Sequence, residues 1–339
     1  VNKAGLVESV ASGLPRIDFS DDTNGALLLE PQSTNTITSS EPTSGGSGFT
    51  YTPKTWSNGL SNGLTGSNMT GIGTAYWYMV QGVANQYSTF SFYVEMEDGS
   101  EPIAGNSSGS DIDFAIMLKG QFRAESQITK TNTIGNIWKI EAVSSPQVLA
   151  GAGPIGILKY PNQSNKTFHA TGFQVEQAAY ATSYIPTTGA TATRVQDSCL
   201  KTNASEIIGQ TEGTFVMDFN YSHNQINVPV FETSTTNSNI YALTLSDFKI
   251  RFWITLSGSN EVLLTTPTIP SEGRHKLAVA YKQNDSCFYL DGVLVGNDTN
   301  CSIPAVSGLY LNKFNADVAE FTVFKERLSN AELEALTTI

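Results

Sequence analysis

The sequence predicts an all-β protein built as two tandem β-sandwich domains, with one short helix at the C-terminus. Three observations predict it. Charged residues make up only 15 % of the chain while Gly, Ser, Thr and Asn abound, the balance of strands and turns rather than of helices. Apolar and polar residues alternate with period two in short runs through both halves, the pattern of half-buried strands. With 339 residues, 40 % of them hydrophobic, the chain can fill two cores.

The elements follow in order. STFSFYVEM places Phe90, Phe92, Val94 and Met96 on one face and Ser91, Tyr93 and Glu95 on the other. DFAIMLKG repeats the device with Phe114, Ile116 and Leu118, and IWKIEAV sets Trp138, Ile140 and Ala142 against Ile137, Lys139, Glu141 and Val143. EDGSEPIAGNSSGSD and KTNTIGN between them are rich in turn formers. TFHATGFQVEQ, from Thr167, reads as a closing strand beside the amino-terminal ALLLEPQ. In the second half, TFVMDFNY sends Phe215, Met217, Phe219 and Tyr221 inward, and DFKIRFWITL does the same with Phe248, Ile250, Phe252 and Ile254. HKLAVAYK and SCFYLDGVLVG form a meander whose Asp291-Gly292 signals a tight hairpin. After the last strand, ADVAEFTVF, Ser329 and Glu332 form a capping box before a helix over 330–336. These readings divide the chain into a first domain over 1–195, a linker over 196–210 and a second domain over 211–339.

A net charge of −12 without any Lys/Arg cluster would repel polyanions, which excludes nucleic acid as a partner. No run of about 18 apolar residues occurs, so membrane insertion is not expected. Cys199, Cys287 and Cys301 lack CxxC spacing and are expected as reduced thiols, although Cys287 and Cys301 could pair around a hairpin. His169, His223 and His275 stand apart from one another and from the cysteines, which argues against zinc. His169 reads as an ordinary strand residue and His275 as solvent-facing.

Four separated motifs, in order, carry a resemblance. PRIDFSDDTNGALLLEPQSTN (15–35), IGNIWKI (134–140), GFQVEQ (172–177) and TSYIPTTGATATR (182–194) resemble segments of bacteriophage fibre and spike proteins that hold a carbohydrate-binding-module-like jelly roll. EGTFVMDF, HKLAVAYKQNDSCFYLDGVLVG and ADVAEFTVFKERLSNAEL resemble the first strand, central hairpin and closing strand of a laminin-G or concanavalin-A-like sandwich. The resemblance implies a virion-surface fibre or spike that attaches to host-surface glycan, contacts other virion proteins and forms a homotrimer, without catalysis. A glycan depolymerase, or an accessory carbohydrate-binding module of a secreted enzyme, is the alternative. Because the VN start matches the run that normally follows a TR dipeptide, further chain upstream is expected.

Sugar recognition needs aromatic faces beside amides or charges. Trp253 shares the polar parity of its strand with Lys249, Arg251 and Thr255, so Trp253 with Arg251 is the first candidate; the same face could instead pack against another surface. Trp56, in an Asn- and Gly-rich loop, and Tyr93 follow, while Trp77 and Trp138 read as core. For catalysis, the acidic run Glu95 to Glu101 lacks a spacing that aligns acids on one strand face and reads as a solvated hairpin tip. No nucleophile elbow occurs and no His neighbours a nucleophile in sequence. No cofactor is expected beyond a conceivable structural calcium ion held by Asp21, Asp22 and Glu176.

Overall fold

The structure, a computed structural model, describes residues 1–20, 23–41, 54–57, 60, 64, 66–69, 75–147, 149–221, 227–234, 236–311 and 316–339. It is an all-β fold of two compact units, one comprising Val1–Ser9 with Gln32–Val195 and the other Val10–Pro31 with Gln196–Ile339.

The first unit stacks two sheets. One runs, in spatial order, Ile128–Ile134, Ile137–Ser144, Ser88–Met96, Phe168–Glu176, Gly66–Met69 and Lys54–Ser57. The other runs Gln121–Phe122, Phe114–Leu118, Gly153–Lys159 and Ala75–Gly82, with Ala104–Gly105 beside Phe114–Leu118. Period-two parity directs Phe90, Phe92, Val94 and Met96 into the core, where they meet Phe114, Ile116, Leu118, Ile140, Phe168 and Phe173. The Phe114 and Phe168 rings approach to 4.7 Å, and truncating such a ring costs about 3–5 kcal/mol. KTNTIGN differs from its reading as a turn. Ile128–Ile134 is an edge strand paired with Ile137–Ser144, because its long polar side chains face solvent and its backbone closes at Gly135.

The second unit is a sandwich of a seven-stranded and a six-stranded sheet. The first has the order Ile17–Asp18, Ala26–Leu29, Ala316–Phe324, Glu212–Tyr221, Gly273–Lys282, Ser286–Leu290, Val293–Asp298. The second runs Leu200–Thr202, Gly308–Tyr310, Pro229–Glu232, Asn239–Thr244, Ile250–Leu256, Ser259–Thr265. Phe215, Met217, Phe219 and Tyr221 pack against Ile240, Ala242, Ile250, Phe252 and Ile254, as their alternation requires. Phe248 differs: it is only partly buried, in a left-handed turn (φ 63°) that precedes the strand. Asp291 and Gly292 both take positive φ (52° and 76°), the geometry of a two-residue hairpin that matches strand twist. Helix Asn330–Thr337 is capped by the Ser329/Glu332 box and seats Leu333 on the outer face of the seven-stranded sheet.

Two expectations about the chain's course change. Ala26–Leu29 does not lie beside Phe168–Glu176; it pairs with Ala316–Phe324 (Leu27 opposite Val318) and buries Leu29 in the second core. Arg16 bonds Glu30 at 2.7 Å and pairs with Asp197, whose carboxylate also accepts the Glu30 backbone N–H at 2.8 Å, so this hairpin is tied to the start of the second unit. Residues expected to be a linker are likewise folded: Leu200–Thr202 pairs with Gly308–Tyr310 and Ala204 is fully buried.

Candidate functional site

Strands Asn239–Thr244, Ile250–Leu256 and Ser259–Thr265 form one edge of the six-stranded sheet. Their inward residues are spent on the core, so Asn239, Tyr241, Arg251, Trp253 and Thr255 share the opposite face. Register places Tyr241 directly opposite Trp253, and the rings stack at 5.4 Å with 26° between planes. The Trp253 indole N–H donates to Asn260 Oδ1 at 2.9 Å, which fixes the ring. The Arg251 guanidinium lies over the same ring, 5.5 Å from its centroid, and its Nε donates to Thr265 Oγ1 at 2.9 Å.

At one end of this pair the surface is concave. The hairpin turn Ser257-Gly258 is left-handed at both residues (φ 52° and 86°). Gly258 N–H donates to Asn237 O and Ser257 N–H to Ser238 Oγ, latching this turn to the 234–238 turn. Asn239 holds the second turn in shape, accepting from Thr233 and Ser234 backbone N–H groups and donating to Ser234 O. Between the turns lies a groove of about 200 Å³, walled by Tyr241 and Trp253 and rimmed by Thr236, Asn237, Thr255 and Asn260. It is smaller than the roughly 300–1,000 Å³ of sites that enclose a drug-sized ligand, a size suited to one ring of a longer molecule. The Asn237 amide, the Thr255 hydroxyl and the Asn260 Nδ2 have no partner among the described residues. Among the described residues no Asp, Glu, His or Cys lines the groove. Burial pushes the Tyr241 phenol up to about 12, so it is a neutral donor and acceptor across the physiological range.

The other sequence candidates separate from this site. Tyr93 is buried, edge-on to Tyr184 at 6.4 Å and packed with Leu60, Leu64 and Ile137; parity put it on the second face of its sheet, and that face is covered. The backbone of Trp56 pairs with Ser67 in an edge strand, and its side chain lies outside the described residues, as do Asp21, Asp22 and His223. Glu176 is fully buried. One of its oxygens accepts from the Ser33 and Thr182 hydroxyls and the other from Gln174 Nε2 and the Thr182 N–H, which uses all four lone-pair directions. With Asn35, which bonds Phe173 O and Ile185 O, and Ser40, which bonds the Thr187 N–H, it fastens the TSYIPT segment to Gln32–Ser40.

His275 is buried rather than solvent-facing. Nδ1 lies 2.6 Å from Asp291 Oδ2 and Nε2 lies 2.8 Å from the Ser271 carbonyl oxygen, with the Ser271 hydroxyl at 3.4 Å. Ser, His and Asp are therefore aligned, which their sequence spacing concealed. A nucleophilic triad needs Nε2 as acceptor for the hydroxyl, whereas here the closer partner is a carbonyl that Nε2 must face with a proton. The group is a clasp between two turns. In the acidic run, exposed Asp98 accepts from both the N–H and the hydroxyl of Ser100, which holds its carboxyl down at about 2. That is a turn cap. The three cysteines are free; Cys287 faces the helix-side cluster and Cys301 the core, on opposite sides of their sheet. No cluster of metal-binding residues occurs among the described residues.

Reasoning from sequence reached Trp253 and Arg251 but missed Tyr241 and the three uncommitted polar groups. The signal for Tyr241 was present, since in NIYALT Asn239 and Tyr241 alternate with inward Ile240 and Ala242. Its pairing with Trp253 depends on register, which alternation does not supply.

No protein-family model matches the chain, and no curated protein matches it. Among solved structures, similarity is found to a sialidase CBM40 from Ruminococcus gnavus bound to α2,3-sialyllactose, at 15 % identity over 40 % of this chain and 87 % of that one, with a TM-score of 0.35. A heptameric SAP-like pentraxin from Limulus polyphemus is similar at 12 % identity over 38 % and 70 %, TM-score 0.32. Botulinum neurotoxin type C is similar at 12 % identity over 42 % and 39 %, TM-score 0.36.

Proposed function

We propose that the chain recognises glycan, non-catalytically, through the Tyr241–Trp253 groove. One observation carries the reading: two aromatic rings wall a groove whose rim offers an amide, a hydroxyl and a second amide, all uncommitted. Sugars present apolar C–H faces and neutral hydroxyls, and this set answers both. Acid–base chemistry on a glycosidic bond needs a pair of carboxyl groups, and the groove lining has none. That lining favours binding over turnover at this groove.

The finer assignment, to a bacteriophage fibre or spike on the virion surface, acting as a homotrimer beside other virion proteins and without a cofactor, rests on the motifs between Pro15 and Arg194. Those motifs have a structural role here: Arg16, Glu30, Asn35, Gln174 and Glu176 hold segments of the fold together. They speak for common architecture rather than for the ligand.

The test is a glycan array probed with the wild type and with Trp253→Ala. Loss of one stacked ring is expected to weaken binding on the order of tenfold or more at every bound glycan. Unchanged binding by Trp253→Ala would remove the groove as the site. A reducing-sugar assay on the bound polysaccharides is expected to show no release; sustained release would make the protein a depolymerase. Light scattering on the intact chain checks the trimer.

A further inference from the structure

We infer that the glycan carries a carboxylate, bound by Arg251 outside the groove, one step along the strand beyond Trp253; this rests on the groove being the glycan site. Arg251 and Trp253 are two residues apart on one strand face, about 7 Å along the sheet. The guanidinium is held in place by its position over the Trp253 ring and by its Nε bond to Thr265 Oγ1. That leaves Nη1 and Nη2, the planar fork that matches both oxygens of a carboxylate, without a partner among the described residues. The other arginines of this unit meet carboxylates: Arg274 gives Nε and Nη2 to Asp218 at 2.7 and 3.0 Å, Arg327 gives Nη2 to Asp285 at 2.9 Å, and Arg16 gives Nη1 to Glu30 at 2.7 Å.

The charges around Arg251 sharpen the inference. Glu232 lies one strand beyond Tyr241, opposite it in register, and is buried. Lys249, two residues along the strand, has Asp247 at 3.7 Å. On a chain of net charge −12, a half-buried Arg with no carboxylate bonded to it among the described residues, fixed beside an otherwise neutral groove, is positioned to take an anion from outside. The neutral rim holds the sugar ring, and Arg251 selects the acidic substituent.

The experiment uses the intact protein on an array in which each acidic oligosaccharide is printed beside its carboxyl-reduced neutral twin. The wild type is expected to prefer acidic members about tenfold, the worth of one charge-assisted bidentate contact. Arg251→Gln should bring the two to within about twofold, and an unchanged thermal melting transition of the variant shows that it is folded. Equal binding of twins by the wild type, or full acid preference retained by Arg251→Gln, would overturn the inference and leave the groove intact as a glycan site. Failure of the wild type to bind any probe would instead defeat the glycan reading, and this inference with it.

Discussion

At the residue scale, the most informative side chains are those whose polar atoms are fully spent. Glu176 accepts four hydrogen bonds inside the first unit, two from hydroxyls and two from N–H groups, so replacing it by Ala leaves buried donors without their acceptor and opens a cavity. Glu176→Ala is expected to cost about 3 kcal/mol and to lower the melting transition of the first unit by roughly 5–10 °C in calorimetry. EDTA is expected to leave the wild-type transition in place; a fall on chelation would show that an ion, not the hydroxyl and amide donors, holds this carboxylate. Lys159 makes a related point. Its ammonium is buried, donates to Asp113 O and Lys166 O at 2.9 Å each, and lies 5.4 Å from the centroid of the Phe168 ring. Burial lowers its pKa, and the charge of Asp113 opposes that shift while the carbonyls and the ring hold the ammonium in place.

At the element scale, several strands of the second sandwich carry tyrosines whose phenols resist ionisation. Burial raises Tyr221 and Tyr241 to about 12, from an ordinary value near 10, and raises Tyr281 further. Tyr221 donates to Phe248 O at 2.5 Å and Tyr281 to Gly209 O at 2.9 Å, bonds that phenolates would lose. Between pH 10 and 12 the unfolded chain releases these protons while the folded chain keeps them, so folded-state stability is full below pH 10 and falls as pH rises through that window. Absorbance at the phenolate band should show a late-titrating class that appears together with unfolding. Titration of all tyrosines near pH 10 with the fold intact would contradict the burial described here.

The same elements show what alternation can and cannot convey. Period two identified the inward faces of Ser88–Met96, Glu212–Tyr221 and Ile250–Leu256, because a strand has only two faces. It did not say whether the second face is wet. Tyr93 lies on a second face covered by Leu60, Leu64 and Tyr184, and Trp253 on one left open enough to form a groove. Both tyrosine and tryptophan have the same parity in sequence, and what lies over them comes from residues far along the chain.

At the scale of the whole molecule, the chain's order and its packing order differ. Val10–Pro31 interrupts the first unit in sequence and belongs to the second, where Ala26–Leu29 extends the sheet beyond Ala316–Phe324. Leu29 is 3 % exposed in that core, so Leu29→Ala is expected to destabilise the second unit by about 2–4 kcal/mol. Hydrogen exchange followed by mass spectrometry should quicken in Ala316–Phe324 and Glu212–Tyr221 and stay unchanged in Ser88–Met96. Quickening confined to the first unit would place the amino-terminal hairpin there instead.

The sequence by itself determined the all-β class, the inward faces of the main strands, the Asp291-Gly292 hairpin, the Ser329/Glu332 cap and the outward parity of Trp253 and Arg251. Each of these depends on residues within a few positions of one another, through pleat, turn chemistry or helix capping. Only the tertiary structure decided that the amino-terminal hairpin completes the seven-stranded sheet, that Glu176 meets Ser33, that His275 is clasped between Ser271 and Asp291, and that Tyr241 stands opposite Trp253. Those are matters of register and of distant segments brought together, and they follow from the summed burial of two cores rather than from any local pattern.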